Sequence, residues 1–484
     1  MSEAALERRA SMVPLLWALA YVVVFGIALF SISWSFGDTV ALMQKAARLD
    51  WRATFAEAFG SGVEYRPFFT IAIKLFYEVV GARAWFYQAL VLLQFATVLG
   101  VMLWLCRPLG GRRAFAACLA VSCFCALHST RILFGFWPLN QHSAVLVLLL
   151  VGIALAFREK TRSFDWVFGP LALAGLFGLE LGLLFAPVIL ALWLARAPGV
   201  TRRAAISVLV ATGMYVAIRL SLGSDGGVPA SHNENGFGFS MLAPERVRAE
   251  FGDPPLLLWI YNVVSTFLTV VISEPRDGVF SFVESLLARD MESWRWFHVG
   301  LSALTSAVIV VGLILQRSMY GWRADLSAVA PAKAERDRLL VVLGLALMVF
   351  GSGLGFLYTR DRIALSAGVG YALLLYVAVV SLMERIPPDG WTRRLVSGAL
   401  VVLAAAWIVR SGETFLQLRD TAWDYHLEWT TRFAEKGGAT EERTELFTAL
   451  QQEALRQTPA DPRLDPAWTY ALFERRFARS PEAR

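Results

Sequence analysis

Apolar residues in this chain come in long unbroken runs, without the polar interruptions of surface helices or the alternation of half-buried strands. Eleven runs approach the roughly 20 residues that a membrane-crossing helix needs. They cover 13–33, 84–106, 114–131, 140–157, 164–180, 181–196, 204–221, 298–316, 339–357, 363–382 and 395–410. A further apolar stretch, 255–273, is bracketed by Pro254, Pro255 and Pro275. That bracketing suits a helix that enters the membrane and turns back, or one that lies in the outer interface. The first run follows Arg8 and Arg9 and lacks a small-residue cleavage pattern after it, so it reads as an uncleaved first span.

Between the runs the pattern changes. Trp51, Phe55 and Phe59 recur at a spacing of four, one apolar stripe of an interfacial helix. Glu64-Tyr-Arg-Pro-Phe-Phe69 opens a second short helix with Pro67 in its first turn. The tail 411–484 is polar and helically patterned, with Trp423, Trp429, Leu446, Leu450, Leu455, Trp468 and Phe473 as its apolar positions. The expected architecture is an all-α, polytopic membrane helix bundle over 1–410, with interfacial helices in the first outer loop 34–83 and a re-entrant or interfacial segment over 255–297. A small helical C-terminal tail over 411–484 completes it.

Composition narrows the class. The 484 residues are 57% hydrophobic and 17% charged, against about 25% charged in an ordinary soluble domain. A soluble enzyme of the usual kind, a disordered chain and a coiled coil are excluded, and long unbroken runs exclude an outer-membrane barrel. The net charge of +6 reads as topology before it reads as nucleic-acid binding. Arg and Lys gather at the N-terminus and at 107–113, 158–163, 196–203, 317–338 and 383–394. All of these face the cytoplasm if 255–273 does not cross, which gives an N-in, C-out chain of about eleven spans. Cys106, Cys118, Cys123 and Cys125 lie in or beside apolar runs and read as small apolar residues, not as a disulfide framework or zinc site. No GxxxxGK[ST] loop and no GxGxxG after a strand is present, so the chain carries no nucleotide-driven pump.

Polar residues at membrane depth or at the outer ends of spans carry the candidate chemistry. Asp38, just beyond the first run, is placed to take a proton from a hydroxyl, to hold a metal, or to cap a helix beginning near Thr39. Arg66 at a helix start suits a phosphate at the membrane surface, or serves as an interfacial anchor. His128, Arg131, Trp137, Asn140, Gln141 and His142 fall at one membrane face and read as a polar pocket. Glu180, between two apolar runs, needs a partner from another span or a proton. In Tyr358-Thr-Arg360-Asp-Arg362, two arginines stand where positive-inside logic gives them no reason to be; they read as a phosphate clamp, or Asp361 pairs with one of them.

The order of these motifs resembles the GT-C superfamily of membrane glycosyltransferases. It is closest to the protein O-mannosyltransferases and the tetratricopeptide-linked O-mannosyltransferases. Asp38 stands where those enzymes carry an acidic residue early in the first outer loop. Tyr65-Arg66-Pro67-Phe68 answers a Tyr-Arg-Pro-Leu entry, and His128-Ser-Thr-Arg131 answers part of a His-Pro-x-His segment. Leu179-Glu180 keeps the acid of a Lys-Glu pair, Tyr358 to Arg362 looks like a late arginine entry, and Arg419-Asp-Thr-Ala-Trp423 resembles the start of the helical tail. The resemblance implies a sugar donor linked through phosphate to a polyprenyl lipid, with Asp38 as general base and inversion at the anomeric carbon. Arg66, Arg131, Arg360 and Arg362 would hold the phosphate. Trp34, Tyr65, His128, Trp137, Asn140, Gln141, His142 and Glu180 would line the sugar and acceptor pocket. It implies a bacterial inner membrane with the site and tail facing the periplasm. The acceptor (protein, lipid or glycan) and the need for a divalent metal stay open. The rival readings are a polysaccharide ligase or polymerase, a lipid-linked-glycan transporter, and an inactive scaffold of a glycan-assembly complex.

Overall fold

The computed structural model describes residues 3–34, 38–60, 66–134, 140–158, 162–222, 236–237, 240–272, 278–289, 293–320, 331–357, 364–385, 390–432 and 445–456. In chain order the helices begin with α1 (Glu3–Leu29), α2 (Asp38–Arg48), α3 (Trp51–Gly60), α4 (Pro67–Val80), α5 (Ala84–Leu105) and α6 (Arg112–Ala126). They continue with α7 (Gln141–Ala156), α8 (Phe168–Gly178), α9 (Phe185–Leu194), α10 (Arg202–Leu222), α11 (Pro244–Phe251) and α12 (Leu256–Val271). The last are α13 (Gly278–Leu287), α14 (Ser293–Tyr320), α15 (Pro331–Gly353), α16 (Leu365–Arg385), α17 (Trp391–Leu427) and α18 (Glu445–Arg456). One departure from all-helix is a two-residue antiparallel pairing, Gly236 with Met241 and Phe237 with Ser240, in the Gly-rich loop before α11.

Each of the eleven apolar runs coincides with a helix, but they are not alike in length. Among the described residues seven helices are long and apolar enough to cross a membrane: α1, α5, α10, α14, α15, α16 and α17. The expectation of an all-helical, polytopic bundle therefore stands, with seven helices of spanning length among the described residues where about eleven spans were expected. α6, α7, α8 and α9 have 15, 16, 11 and 10 residues. At about 1.5 Å per residue each falls short of a hydrocarbon core of about 30 Å. The reasons are local. α6 gives way at Leu127, whose backbone is extended, to a 3₁₀ segment His128–Phe134. α8 stops at the extended Leu179 and hands over to a 3₁₀ turn, Glu180–Leu184. Starts are signalled by side chains: Asn140 accepts from Ser143 N at 3.1 Å before α7, and Asp50 accepts from Ala53 N at 2.7 Å before α3.

α16 is the axis of the bundle, buried along its length from Leu365 to Ser381 and packed between α6, α14 and α15. Small residues allow that packing. A Cβ added at Gly312 of α14 would lie 2.5 Å from Ala378 Cα, and one at Gly370 of α16 would lie 2.6 Å from Gly344 O of α15. Close backbone approach is what lets apolar helices associate where lipid offers no hydrophobic drive. The outward surfaces are apolar: Leu16, Ile27, Leu93, Val210, Ile314 and Val402 are all exposed. α12 inverts the soluble pattern, with Asn262, Ser265, Thr266 and Thr269 buried and Leu256, Leu257, Ile260 and Val264 exposed.

Arginines define one face of the bundle. Helix C-termini leave carbonyls unbonded and carry partial negative charge. Arg336 donates to Trp104 O and Leu105 O at the end of α5, at 2.8 and 2.9 Å, and stacks on Trp104. Arg338 reaches Ala195 O beyond α9, Arg112 reaches Met383 O on α16, and Arg385 reaches Leu315 O on α14. Buried Arg113 forms a two-pronged pair with Asp337, with Glu384 at 3.7 Å. Residues 112–113, 336–338 and 383–385 thus meet at one end, the basic face. The opposite end is the far face. There Arg410 of α17, 1% exposed, donates to Ala126 O at the end of α6 and to His298 O near the start of α14.

α11 and α12 meet at a 94° bend. Asn262 of α12 donates to Phe356 O beyond the end of α15, while Val271 O accepts from Ser306, well inside α14. α12 therefore runs from the far face alongside α14. α17 has 37 residues, about 55 Å at 1.5 Å per residue. It runs beyond any bilayer core before a π-helical turn, Glu428–Arg432, redirects the chain. Trp429, Leu450 and Ala454 belong to the same continuous core as α1 and α5, so the described part of the tail is packed on the bundle.

Candidate functional site

Between α1 and α5 the chain carries three short helices, α2, α3 and α4. Pro67 sits at the first position of α4, where its missing N–H costs nothing, and Arg66 is the residue before it. The ring of Phe68 packs edge-on against Phe177 at 5.4 Å, and Phe177 lies 6.1 Å from Tyr215. α4 is thereby seated on the far ends of α8 and α10. A small apolar cluster, separate from the main core, forms the floor: Leu176 and Tyr215, with Phe177, Leu183, Ile218 and Leu222 against them.

The break at Leu179 positions the acid. The turn after it lies tight against α8, since a Cβ on Gly182 would stand 2.4 Å from Leu176 N. Glu180 emerges at the rim, its side chain 40% exposed. Its carboxylate lies 3.4 Å from Arg66 Nη2 and 3.9 Å from Arg219 Nη2 at the end of α10. Arg66 and Glu180 are 114 residues apart in sequence. Arg66 Nε is buried and has no hydrogen-bond acceptor among the described residues. Two guanidinium groups face one carboxylate at distances beyond a good charge-assisted hydrogen bond. Arg66 Nε thus remains an unspent donor beside an aromatic and apolar floor.

The other predicted residues divide. Trp34 is wholly buried: its indole N–H donates to Ala82 O at 3.2 Å, its ring lies 5.3 Å from Tyr87, and its carbonyl accepts from Trp429 Nε1 at 2.6 Å. It anchors the start of the loop and offers no face to a sugar. Asn140 is likewise spent, capping α7 and donating to Leu133 O at 3.3 Å. His128 is buried in the 3₁₀ segment after α6. Gln141 and His142 open α7, and Gln141 Oε1 is buried with no donor among the described residues. Asp38 opens α2 and Arg131 falls in the 3₁₀ segment, but their side-chain positions lie outside what the structure describes. Tyr65, Trp137, Arg360 and Arg362 lie outside the described residues. Among the described residues no three His, Cys, Asp or Glu side chains group as metal ligands.

Sequence reasoning missed Arg219. It ends an apolar run at the far face, and the argument applied to Arg360 and Arg362, a cation with no topological reason for its place, would have found it. It also missed the buried set on α14 and α17: His298 Nε2 lies 2.7 Å from Glu413 Oε2, and Arg410 bonds Ser302 Oγ at 2.9 Å while stacking on Trp407. No protein-family model, curated protein or solved structure matches the chain.

Proposed function

We propose that this chain is a membrane glycosyltransferase of the GT-C type, with eleven crossings, the basic face in the cytoplasm and the far face outside. It moves a sugar from a polyprenyl-phosphate donor to an acceptor hydroxyl. The observation that carries this reading is the meeting of Arg66, Glu180 and Arg219 over an apolar floor at the far face. A lipid phosphate has the same two-part chemistry, an anion on an apolar chain. In this reading Arg66 and Arg219 hold the phosphate, with Arg131, Arg360 and Arg362 the further cations that the resemblance implies. His128, Gln141, His142, Tyr65 and Trp137 border the sugar.

The reaction needs one base. The acceptor oxygen attacks the anomeric carbon as the bond from that carbon to the phosphate oxygen breaks. Its proton passes to the Asp38 carboxylate, polyprenyl phosphate leaves, and the anomeric centre inverts. Guanidinium groups stabilise the charge gathering on the leaving oxygen. The donor is activated at its sugar–phosphate bond, the bond that breaks, so a nucleotide site is unnecessary.

The test is transfer of radiolabelled sugar from polyprenyl phosphate by the purified chain in detergent. General-base catalysis contributes about 10²–10⁴-fold. Asp38→Asn is expected to lose transfer by that factor while donor binding persists. Transfer by Asp38→Asn at the wild-type rate would remove Asp38 as the base.

A further inference from the structure

The segment following the last apolar run returns to the first outer loop. α17 leaves the bundle, turns at Glu428–Arg432, and places Trp429 (1% exposed) so that its indole N–H reaches the carbonyl of Trp34 at 2.6 Å. Trp34 is then held three ways: by that bond, by its own N–H on Ala82 O, and by its ring against Tyr87. Four residues later α2 begins, at Asp38. α18 packs on α2, with Leu450 and Ala454 fully buried. On its other side α2 meets α4, where Lys74 of α4 donates to Ala46 O of α2 at 2.9 Å. α2 is short, 11 residues, and a helix of that length in water draws its order from what it packs against.

We propose that this C-terminal arm, Trp429 together with α18, is a clamp that fixes the start of α2 and so positions Asp38. The catalytic half of the inference rests on the functional reading above; the mechanical half does not. Trp429 touches neither Arg66 nor Glu180 in any contact seen here, so it is a positioning residue. A carbonyl buried at Trp34 and deprived of its donor weakens the local structure that carries it. The predicted signature is a loss of turnover with donor affinity spared, because the Arg66–Glu180–Arg219 cluster is built from α4, α10 and the turn after α8.

The experiment uses the full chain in lipid nanodiscs. It compares wild type, Trp429→Phe, which keeps a ring and deletes the N–H, and Leu450→Ala, which loosens α18. Amide hydrogen exchange over 38–48 is expected to quicken about tenfold in both variants while α16 stays protected. In the transfer assay kcat is expected to fall about tenfold with the donor KM within about twofold of wild type. Exchange over 38–48 unchanged in both variants would overturn the clamp. Faster exchange in α2 with kcat unchanged would overturn its role in positioning Asp38. If the wild-type chain transfers no sugar at all, the functional reading fails, and the exchange data alone still decide whether the arm clamps α2.

Discussion

Glu180 shows how a single charge acquires meaning only in three dimensions. In sequence it stands between apolar runs without a cation nearby, which demanded a partner from elsewhere in the chain. That demand was legible; the identity of the partners was not. Arg66 was singled out for a phosphate and Glu180 for a missing cation, and the fold joins them through a contact that no local pattern encodes. The pair is half open to solvent, so its own stabilising value is small. Its consequence is competitive: the carboxylate occupies space between guanidiniums where an anionic ligand would sit. Glu180→Gln is therefore expected to tighten polyprenyl-phosphate binding by about three- to tenfold, and Arg66→Ala to weaken it by about tenfold or more. Titration of the lipid into nanodisc-held protein measures both, and weaker binding in Glu180→Gln would show the carboxylate to be a ligand-binding group instead.

Helices were the most legible level, because unbroken apolar runs leave the backbone no other means of bonding itself in lipid. Their ends were less legible. Leu127 and Leu179 are ordinary apolar residues in sequence, yet each is extended and ends a helix early, α6 at its meeting with Arg410 and α8 at its tight return past Gly182. Helices α3 and α4 were signalled by spacing and by Pro67, and both helices are present. What spacing cannot show is how helices are joined at the basic face. Arg113 and Asp337 link α6 to α15 with side chains about 5% and 4% exposed. Breaking a buried pair from one side leaves an uncompensated charge and costs about 3–5 kcal/mol, whereas replacing both partners by apolar groups is often neutral. Asp337→Ala is expected to lower the unfolding midpoint of the purified protein sharply, and Arg113→Met with Asp337→Leu to recover most of the loss. Equal destabilisation by the single and the double variant would mean that packing, not charge, holds this joint.

At the scale of the whole molecule, Arg112, Arg336, Arg338 and Arg385, which come from three basic segments of the sequence, bond backbone carbonyls at or near helix ends at the basic face. Charge bias in the sequence thus has a structural use in this fold. Trp34 was read as a pocket residue because an aromatic residue at a loop start looks the same in sequence whether it stacks on a sugar or locks two tryptophan-bearing segments together. The central claim is that the far face holds a lipid phosphate at Arg66 and Arg219. Its most direct test is photo-crosslinking with a polyprenyl phosphate that carries a photoreactive group next to the phosphate, followed by peptide mapping. The account predicts labelling within 66–80, 176–184 and 215–222, competed away by unlabelled polyprenyl phosphate and abolished by Arg66→Ala with Arg219→Ala. Labelling confined to the exposed lipid-facing surfaces of α1 and α14, indifferent to competitor and to those substitutions, would contradict it.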